Sequence, residues 1–153
     1  MDKKILVIDD KVDLILNKKE RFMGKKILIV DDEPDLLKVT LLRLKKAGYE
    51  VYGCADVREV LNIVRSIIPD LIILDVYLPV INGDDFTKIL KKDAKLKYIP
   101  VILISATTRT LDERARDCGA DGYLSKPFEP EELISMVEKT LVQESEAISS
   151  LKR

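Results

Sequence analysis

The chain contains no histidine and no tryptophan, and only two of its 153 residues are cysteine. The absence of histidine excludes Ser-His-Asp hydrolysis, Cys-His proteolysis and the usual histidine-containing zinc sites. Cys54 and Cys118 are too few for a disulfide framework and neither belongs to a CxxC pair, so we expect both to be small buried residues. The chemistry left to the chain is that of carboxylates, hydroxyls and lysines.

Long apolar runs and a charge of one sign are also missing. No stretch approaches the roughly 18 apolar residues of a membrane span, and the N-terminus lacks a secretory signal. The 26 basic and 27 acidic residues nearly cancel, so no global field attracts nucleic acid or a membrane. Aromatic residues make up only 5% of the chain, which predicts an aliphatic core. We therefore expect a cytoplasmic protein with neither nucleic-acid nor membrane partners.

The opening segment is written twice. Residues 1–14 read MDKKILVIDDKVDL, and residues 23–36 read MGKKILIVDDEPDL. A spacing of 22 residues is too short for a complete domain repeat. The second copy has the better continuation, with Pro34 at a helix start and Gly48 at its end, so we expect the domain to begin near Met23.

This duplication sets the predicted boundaries. Residues 1–22 form an N-terminal extension, either a mobile tail or an extra strand that is exchanged between copies. Residues 23–143 form the domain, and residues 144–153 form a helical or frayed tail, of which we expect the frayed form. The predicted assembly is a monomer or weak dimer.

Short aliphatic runs alternate with amphipathic stretches after Met23, which is typical of βαβ units and a parallel sheet. The predicted strands are 26–30, 50–53, 71–74, 101–104 and 122–124. The predicted helices are 34–47, 57–67, 83–92, 110–118 and 130–142.

Polar side chains follow four of these strands, and ligands bind beyond the carboxyl ends of the strands in such a sheet. The residues are Asp31, Asp32 and Glu33 after the first strand, Asp75 after the third, Ser105 after the fourth and Lys126 after the fifth. Each alone has a structural explanation as a helix cap, a turn residue or solvated surface. Together they suit phosphoryl transfer, because Mg²⁺ prefers carboxylate oxygens and both lysine and hydroxyl bind phosphate.

Four segments resemble the receiver domains of two-component response regulators, the CheY-like family. They are ILIVDDEP at 27–34, LIILDVYLPVING at 71–83, PVILISA at 100–106 and GADGYLSKPF at 119–128. The resemblance covers residues 25–142. It implies a flavodoxin-like α/β fold, with a five-stranded parallel sheet of order 2-1-3-4-5 and five helices.

The resemblance also implies a magnesium site, in which Mn²⁺ could substitute. Asp32 and Asp75 would be direct metal ligands, Asp31 would act through a bound water, and the backbone carbonyl of Tyr77 would complete the protein ligands.

The roles of the remaining site residues follow from the same resemblance. Asp75 would be the phosphoacceptor, with Lys126 and Ser105 contacting the phosphoryl group. Ser105 and Tyr123 would form the conformational switch. A cis peptide before Pro127 is also implied.

The implied partners are a sensor histidine kinase or a histidine phosphotransfer protein as donor, and a downstream protein that reads the switch. The chain would not be an enzyme acting on external substrates, and nothing after Arg153 would supply a separate output. Two alternatives remain open at this point: a phosphorelay carrier that passes the group to a histidine phosphotransfer protein, and a small hydrolase with a phospho-aspartyl intermediate.

Overall fold

The computed structural model describes residues 22–107 and 109–151, which form alternating strands and helices. The strands are β1 (Lys26–Val30), β2 (Glu50–Cys54), β3 (Leu71–Asp75), β4 (Val101–Ser105) and β5 (Gly122–Ser125). The helices are α1 (Pro34–Lys46), α2 (Val57–Ile67), α3 (Gly83–Lys92), α4 (Leu111–Cys118) and α5 (Pro130–Leu151). Five strands and five helices were predicted, and this expectation is confirmed for the described residues.

The sheet has the order β2-β1-β3-β4-β5, and every neighbouring pair is parallel. The predicted order 2-1-3-4-5 is therefore confirmed. Every residue of β3 and β4 is buried, as expected for strands covered by helices on both faces. In the ladder, Val30 is opposite Leu74, Asp75 is opposite Ile104 and Ser105 is opposite Ser125. This register brings the carboxyl ends of the strands to one edge.

Alternate residues of the central strands enter two separate aliphatic cores, because side chains of a strand point to opposite faces. Leu28 and Ile72 belong to the core that contains the buried residues of α2, α3 and α4. Ile29 and Ile73 belong to the core that contains the buried residues of α1 and α5. The sheet is thus fixed from both sides, and the loops at its carboxyl edge start from rigid strand ends.

The last helix is longer than expected. The expectation is that residues 144–153 fray, but α5 continues without a break to Leu151. Residues 143–151 contain neither proline nor glycine, so nothing in their sequence ends the helix. The helix is also too polar to cross a membrane, and no other helix in the described ranges is long and apolar enough to do so.

The N-terminal boundary also differs by one residue from the expectation. Phe22, which we assigned to the extension, is only 4% exposed and packs into the same core as Ile29. Its carbonyl accepts a hydrogen bond from the Lys25 N–H at 3.1 Å. Phe22 is therefore part of the packed domain. Residues 1–21 lie outside the described residues, so the alternatives of a mobile tail and an exchanged strand stay predictions.

Candidate phosphoryl-transfer site

The carboxyl edge of the sheet carries three buried polar residues that strand geometry places there. Asp31 follows β1 directly, whereas Asp75 and Ser105 are the last residues of β3 and β4. The Asp31 N–H donates to the Cys54 carbonyl at 3.1 Å, which continues the ladder one residue beyond β1. Their positions are therefore set by backbone pairing rather than by a flexible loop.

Three carboxylates gather at this edge. Asp31, Asp32 and Asp75 each offer an oxygen, and these oxygens lie within 4.8 Å of one another. Asp31 and Asp75 are buried, while Asp32 is exposed. The cluster is thus closed on the side of the core and open to solvent beside Asp32.

Backbone N–H groups hold one oxygen of each buried carboxylate. The Glu33 N–H donates to Asp31 Oδ1 at 3.0 Å, and the Tyr77 N–H donates to Asp75 Oδ1 at 3.2 Å. The other oxygen of each carboxylate, Oδ2, lies near the ammonium group of Lys126. Fixed carboxylates of this kind are positioned in advance for a cation or a phosphoryl group.

Lys126 supplies the positive charge at the centre. Its Nζ lies 2.6 Å from Asp75 Oδ2, 3.4 Å from Asp31 Oδ2 and 3.7 Å from Glu33 Oε1. The Lys126 N–H donates to the Ser105 carbonyl at 2.8 Å, which ties the lysine to the end of β4. The peptide bond between Lys126 and Pro127 is cis, as the resemblance implied.

Burial and charge shift the ionisation of both partners. Burial raises the pKa of Asp75, and although the hydrogen bond from Lys126 opposes this, the pKa stays above its usual value. Burial by itself lowers the pKa of Lys126, but the hydrogen bond to Asp75 and the charges of Asp31 and Glu33 outweigh it. The net result is a raised lysine pKa, so Lys126 is firmly cationic at neutral pH.

The donor set fits a magnesium ion. Mg²⁺ takes oxygen ligands, keeps several waters and is commonly bound through one or two carboxylates together with phosphate oxygens. The cluster of Asp31, Asp32 and Asp75 offers carboxylate oxygens alone, with an open side for water. Lys126 neutralises only one of these negative charges, which leaves an excess that a divalent cation would balance.

The two predicted switch residues differ in their burial. Ser105 is buried, and its Oγ accepts a hydrogen bond from the Thr107 N–H at 3.1 Å, which leaves the hydroxyl proton available to donate. Tyr123 lies on β5 and is 45% exposed. Within the described ranges, it forms no hydrogen bond with the acidic cluster. The structure therefore brings Ser105 to the site edge and leaves Tyr123 on the surface.

A tight loop connects the end of β3 to the start of α3 next to Asp75. The Gly83 N–H donates to the Val76 carbonyl at 2.7 Å. A Cβ at Gly83 would lie 2.1 Å from the Asp75 carbonyl oxygen, a distance that no side chain tolerates. Glycine is required at this position because the start of α3 packs directly on the backbone of Asp75.

One group of contacts beside the site has no signal in the sequence. Arg114 of α4 lies 3.1 Å from Asp84 of α3 and packs over the ring of Tyr77, 5.4 Å from the ring centroid. Arg114 is far along the chain from Tyr77 and Asp84, and neither Arg114 nor Asp84 lies in one of the four segments that carry the resemblance, so only the folded arrangement reveals the contact.

Solved structures of similar sequence share this fold. A putative response regulator from Chloroflexus aurantiacus J-10-fl is 34% identical, with a TM-score of 0.75 and coverage of 78% of this chain and 98% of that chain. The chemotaxis response regulator CheY4 of Vibrio cholerae is 33% identical, with a TM-score of 0.72 and coverage of 77% and 99%.

Curated proteins are also similar to this chain, and a family profile matches most of it. The probable transcriptional regulator ycf29 of Pyropia yezoensis is 39% identical over 98 residues, 63% of this chain and 44% of the relative. The DNA-binding response regulator MtrA of Mycobacterium leprae is 35% identical over 99 residues, 64% and 43%. The chain thus spans less than half the length of these relatives. The profile described as response regulator receiver domain matches residues 27–138. Since this match covers most of the 153 residues, the chain belongs to the response regulator receiver domain family of two-component signalling.

Proposed function

We propose that Asp75 accepts a phosphoryl group from the phosphohistidine of a sensor kinase or histidine phosphotransfer protein, in a reaction that requires Mg²⁺. The phosphorylated chain then signals to a protein partner. The observation that carries this proposal is the buried Asp75 carboxylate, with Lys126 Nζ 2.6 Å from its Oδ2, inside a cluster of three acidic residues. A carboxylate held in this way can act as a nucleophile, and the ammonium group of Lys126 lies beside it to bind the incoming phosphoryl oxygens.

In the proposed reaction, an Asp75 carboxylate oxygen forms a bond to phosphorus as the bond from phosphorus to the histidine nitrogen breaks. Lys126 lies against Asp75, and its ammonium group would stabilise the negative charge that develops on the phosphoryl oxygens during transfer. The Tyr77 N–H keeps the other oxygen of Asp75 in place at 3.2 Å during transfer. Positioning and electrostatics therefore account for most of the catalysis.

The proposed metal ligands are Asp32 and Asp75 directly, Asp31 through a water molecule, and the backbone carbonyl of Tyr77. When bound, magnesium would neutralise the charge spread over the transferring oxygens. Asp32 suits direct binding because it is the exposed member of the cluster. Asp31 is buried and has one oxygen engaged by the Glu33 N–H, which suits a role through water.

The proposed output is a two-state change. Ser105 would shift toward the phosphoryl group and donate its hydroxyl proton to a phosphoryl oxygen. Tyr123 would then turn inward from its exposed position. The phosphoryl group shifts the equilibrium because it contacts one state better than the other. Hydrolysis of the acyl phosphate by water would return Asp75 to its original form, so the chain turns over only its own phosphoryl group.

The duplicated segment provides a matched test of the metal site. Asp32→Asn should reduce phosphorylation by a small acyl-phosphate donor by at least about 100-fold, because it removes a direct metal ligand. Asp10→Asn changes the equivalent residue of the first copy and should leave the rate unchanged. Intact-protein mass after timed incubation with the donor and Mg²⁺ measures both. A loss in Asp10→Asn with Asp32→Asn unaffected would assign the site to the first copy and contradict the proposal.

A further inference from the structure

The outer end of α5 carries exposed apolar side chains. Leu141 is buried in the core, whereas Ile148 is 46% exposed and Leu151 is 81% exposed. These three residues and Glu144 are spaced by three, four and three positions along the helix, so they lie on one face. We call this face of four residues the α5 stripe. A largely apolar face of this kind is a surface on which another helix can pack.

The α5 stripe borders a groove at the edge of the sheet opposite Asp75. The groove measures about 420 Å³ and is lined by every member of the stripe except Leu151. Pro100, which directly precedes β4, lines it as well. The described structure begins at Phe22, and Phe22 is also part of the lining. The residues that precede Phe22 are thus joined to the domain at the groove itself, and they need no long linker to reach it.

The backbone at Phe22 has the geometry of a helix C-terminus. It is helical at Phe22 itself, and the Phe22 carbonyl accepts a hydrogen bond from the Lys25 N–H at 3.1 Å. Gly24 follows with a φ of +78°, the left-handed conformation in which helices commonly end. A helix in the residues before Phe22 would produce an ending of this kind.

The sequence before Phe22 has the same spacing as the α5 stripe. Counting back from Phe22, steps of three, four and three reach Lys19, Ile15 and Val12. In an antiparallel arrangement, this order faces the stripe from its inner end outwards without a mismatch. The resulting pairs are Phe22 with Leu141, Lys19 with Glu144, Ile15 with Ile148 and Val12 with Leu151. Three pairs are apolar, and the one charged position on each side meets a charge of opposite sign.

The first two of these pairs have support in the described residues. Phe22 and Leu141 belong to the same core and line the same groove, which fixes the register. Burial and the negative charge of Asp121 raise the pKa of Glu144, so a cation beside this carboxylate would be stabilising. Lys19 would supply that cation.

We propose that residues 12–21 form an amphipathic helix that packs antiparallel on the α5 stripe and fills this groove. Apolar residues at alternating steps of three and four are the pattern of a two-helix coiled-coil seam. A helix of about ten residues is marginal in water by itself, so it would depend on α5 for its stability. The contact would also explain why α5 extends to Leu151 with apolar residues on its surface. The outer part of this seam lies outside the two cores that hold the sheet, so it opens locally and its loss leaves the main unfolding transition in place.

The first test is a disulfide across the seam. Ile15→Cys with Ile148→Cys in the full chain, incubated with oxidised glutathione, should form a bond within one chain, because the two positions face each other. Asn17→Cys with Ile148→Cys is the matched control, since Asn17 lies on the opposite side of the proposed helix. It should form the bond at least about 10-fold more slowly. Cys54 and Cys118 are buried and do not compete.

Intact mass under non-reducing conditions measures the result, as a loss of two hydrogens from a chain that remains single. Equal rates for the two pairs would contradict the proposed register. A disulfide that joins two chains, or dimerisation of Ile148→Cys alone at the same rate, would show that a second copy fills the groove, and the proposal would be wrong.

The second test is amide hydrogen exchange in residues 143–151. Ile15→Asp places a carboxylate in the seam and should raise the exchange rate there by about 10-fold or more, because the end of α5 loses its partner. Asn17→Asp places the same group on the opposite face and should leave the rate unchanged. Phosphorylation of Asp75 should be unaffected in both variants, since the seam is at the other edge of the sheet. Exchange in the wild type as fast as in Ile15→Asp is the result expected of a mobile tail and would overturn the proposal.

Discussion

At the scale of single residues, the site carries more negative charge than its lysine can balance. Asp31 and Asp75 are buried together, and Lys126 contacts both. Removing two carboxylates from water is costly unless opposite charge is close by. One ammonium group compensates one of them, and Asp32 adds a further negative charge at the open side. This imbalance is the physical reason why a divalent cation suits the site.

Gly83 illustrates how a residue without chemistry of its own determines the site. In Gly83→Ala, the new Cβ would meet the Asp75 carbonyl oxygen at 2.1 Å, and both are attached to rigid backbone. We expect a loss of about 2–3 kcal/mol in the free energy of unfolding, together with slower phosphorylation, because the end of β3 must move. Urea unfolding and the rate of mass increase with a phosphoryl donor measure the two effects.

Gly53→Ala is the matched control for this substitution. Its Cβ would meet Leu41 Cδ1 at 2.7 Å, but that atom is the end of a flexible side chain. We expect a stability change below about 1 kcal/mol and an unchanged rate of phosphorylation. Equal effects of the two substitutions would show that the close approach at Gly83 does not constrain Asp75.

At the scale of elements, the sequence predicted every strand and helix of the described residues, with ends that differ by one residue at most except in α5, which runs to Leu151 instead of residue 142. The strands β2, β3, β4 and β5 are each one residue longer than predicted, because backbone pairing continues one residue beyond each predicted end. Hydrophobic pattern reports burial, whereas a strand ends where its hydrogen bonds end. The same limit explains α5, whose last turns are polar and gave no periodic signal.

The gathering of Asp31, Asp32, Asp75 and Lys126 was predictable because parallel strands end at a common edge. The contact of Arg114 with Asp84 and Tyr77 was not, since it depends on how α4 packs beside α3. The sequence of an amphipathic helix does not show which of its charged residues form an ion pair with another helix and which are solvated. The packing of α4 beside α3 is therefore a feature that the sequence does not reveal.

The duplicated opening segment leads to a prediction about where the domain begins. Deletion of residues 1–21 should leave stability and phosphorylation unchanged, because Phe22 and β1 are retained. Phe22→Ala in the full chain should lose about 3–5 kcal/mol of unfolding free energy, since Phe22 packs in the core. Met23→Ala is the control, because Met23 is 66% exposed. Chemical denaturation and the phosphorylation assay measure all three.

Phosphorylation should persist in Phe22→Ala at temperatures where the variant is folded. Phe22 lies with Asp70 and Pro100, which precede β3 and β4, so it is at the edge of the sheet opposite Asp75. Loss of phosphorylation on deletion of residues 1–21 would instead show that the first copy contributes to the working site. If the same deletion lowers the number of chains per particle in solution, that result would support strand exchange between copies.

At the scale of the whole molecule, a rigid sheet with helices on both faces presents one reactive edge. The chain spans less than half the length of two curated relatives, which are named as a probable transcriptional regulator and a DNA-binding response regulator. Its match to CheY4 of Vibrio cholerae covers 99% of that protein. The described residues thus correspond to a receiver unit, and the proposed output is a change of its surface on phosphorylation.

The most direct test of the account is the intact mass of the wild type and of Asp75→Asn after incubation with a small acyl-phosphate donor, with and without Mg²⁺. We expect one added phosphoryl group in the wild type with Mg²⁺, and none without the metal or in Asp75→Asn. An addition that persists in Asp75→Asn, or that needs no metal, would contradict the assignment of Asp75 and its acidic cluster. No addition to folded wild type would contradict the proposed phosphorylation itself.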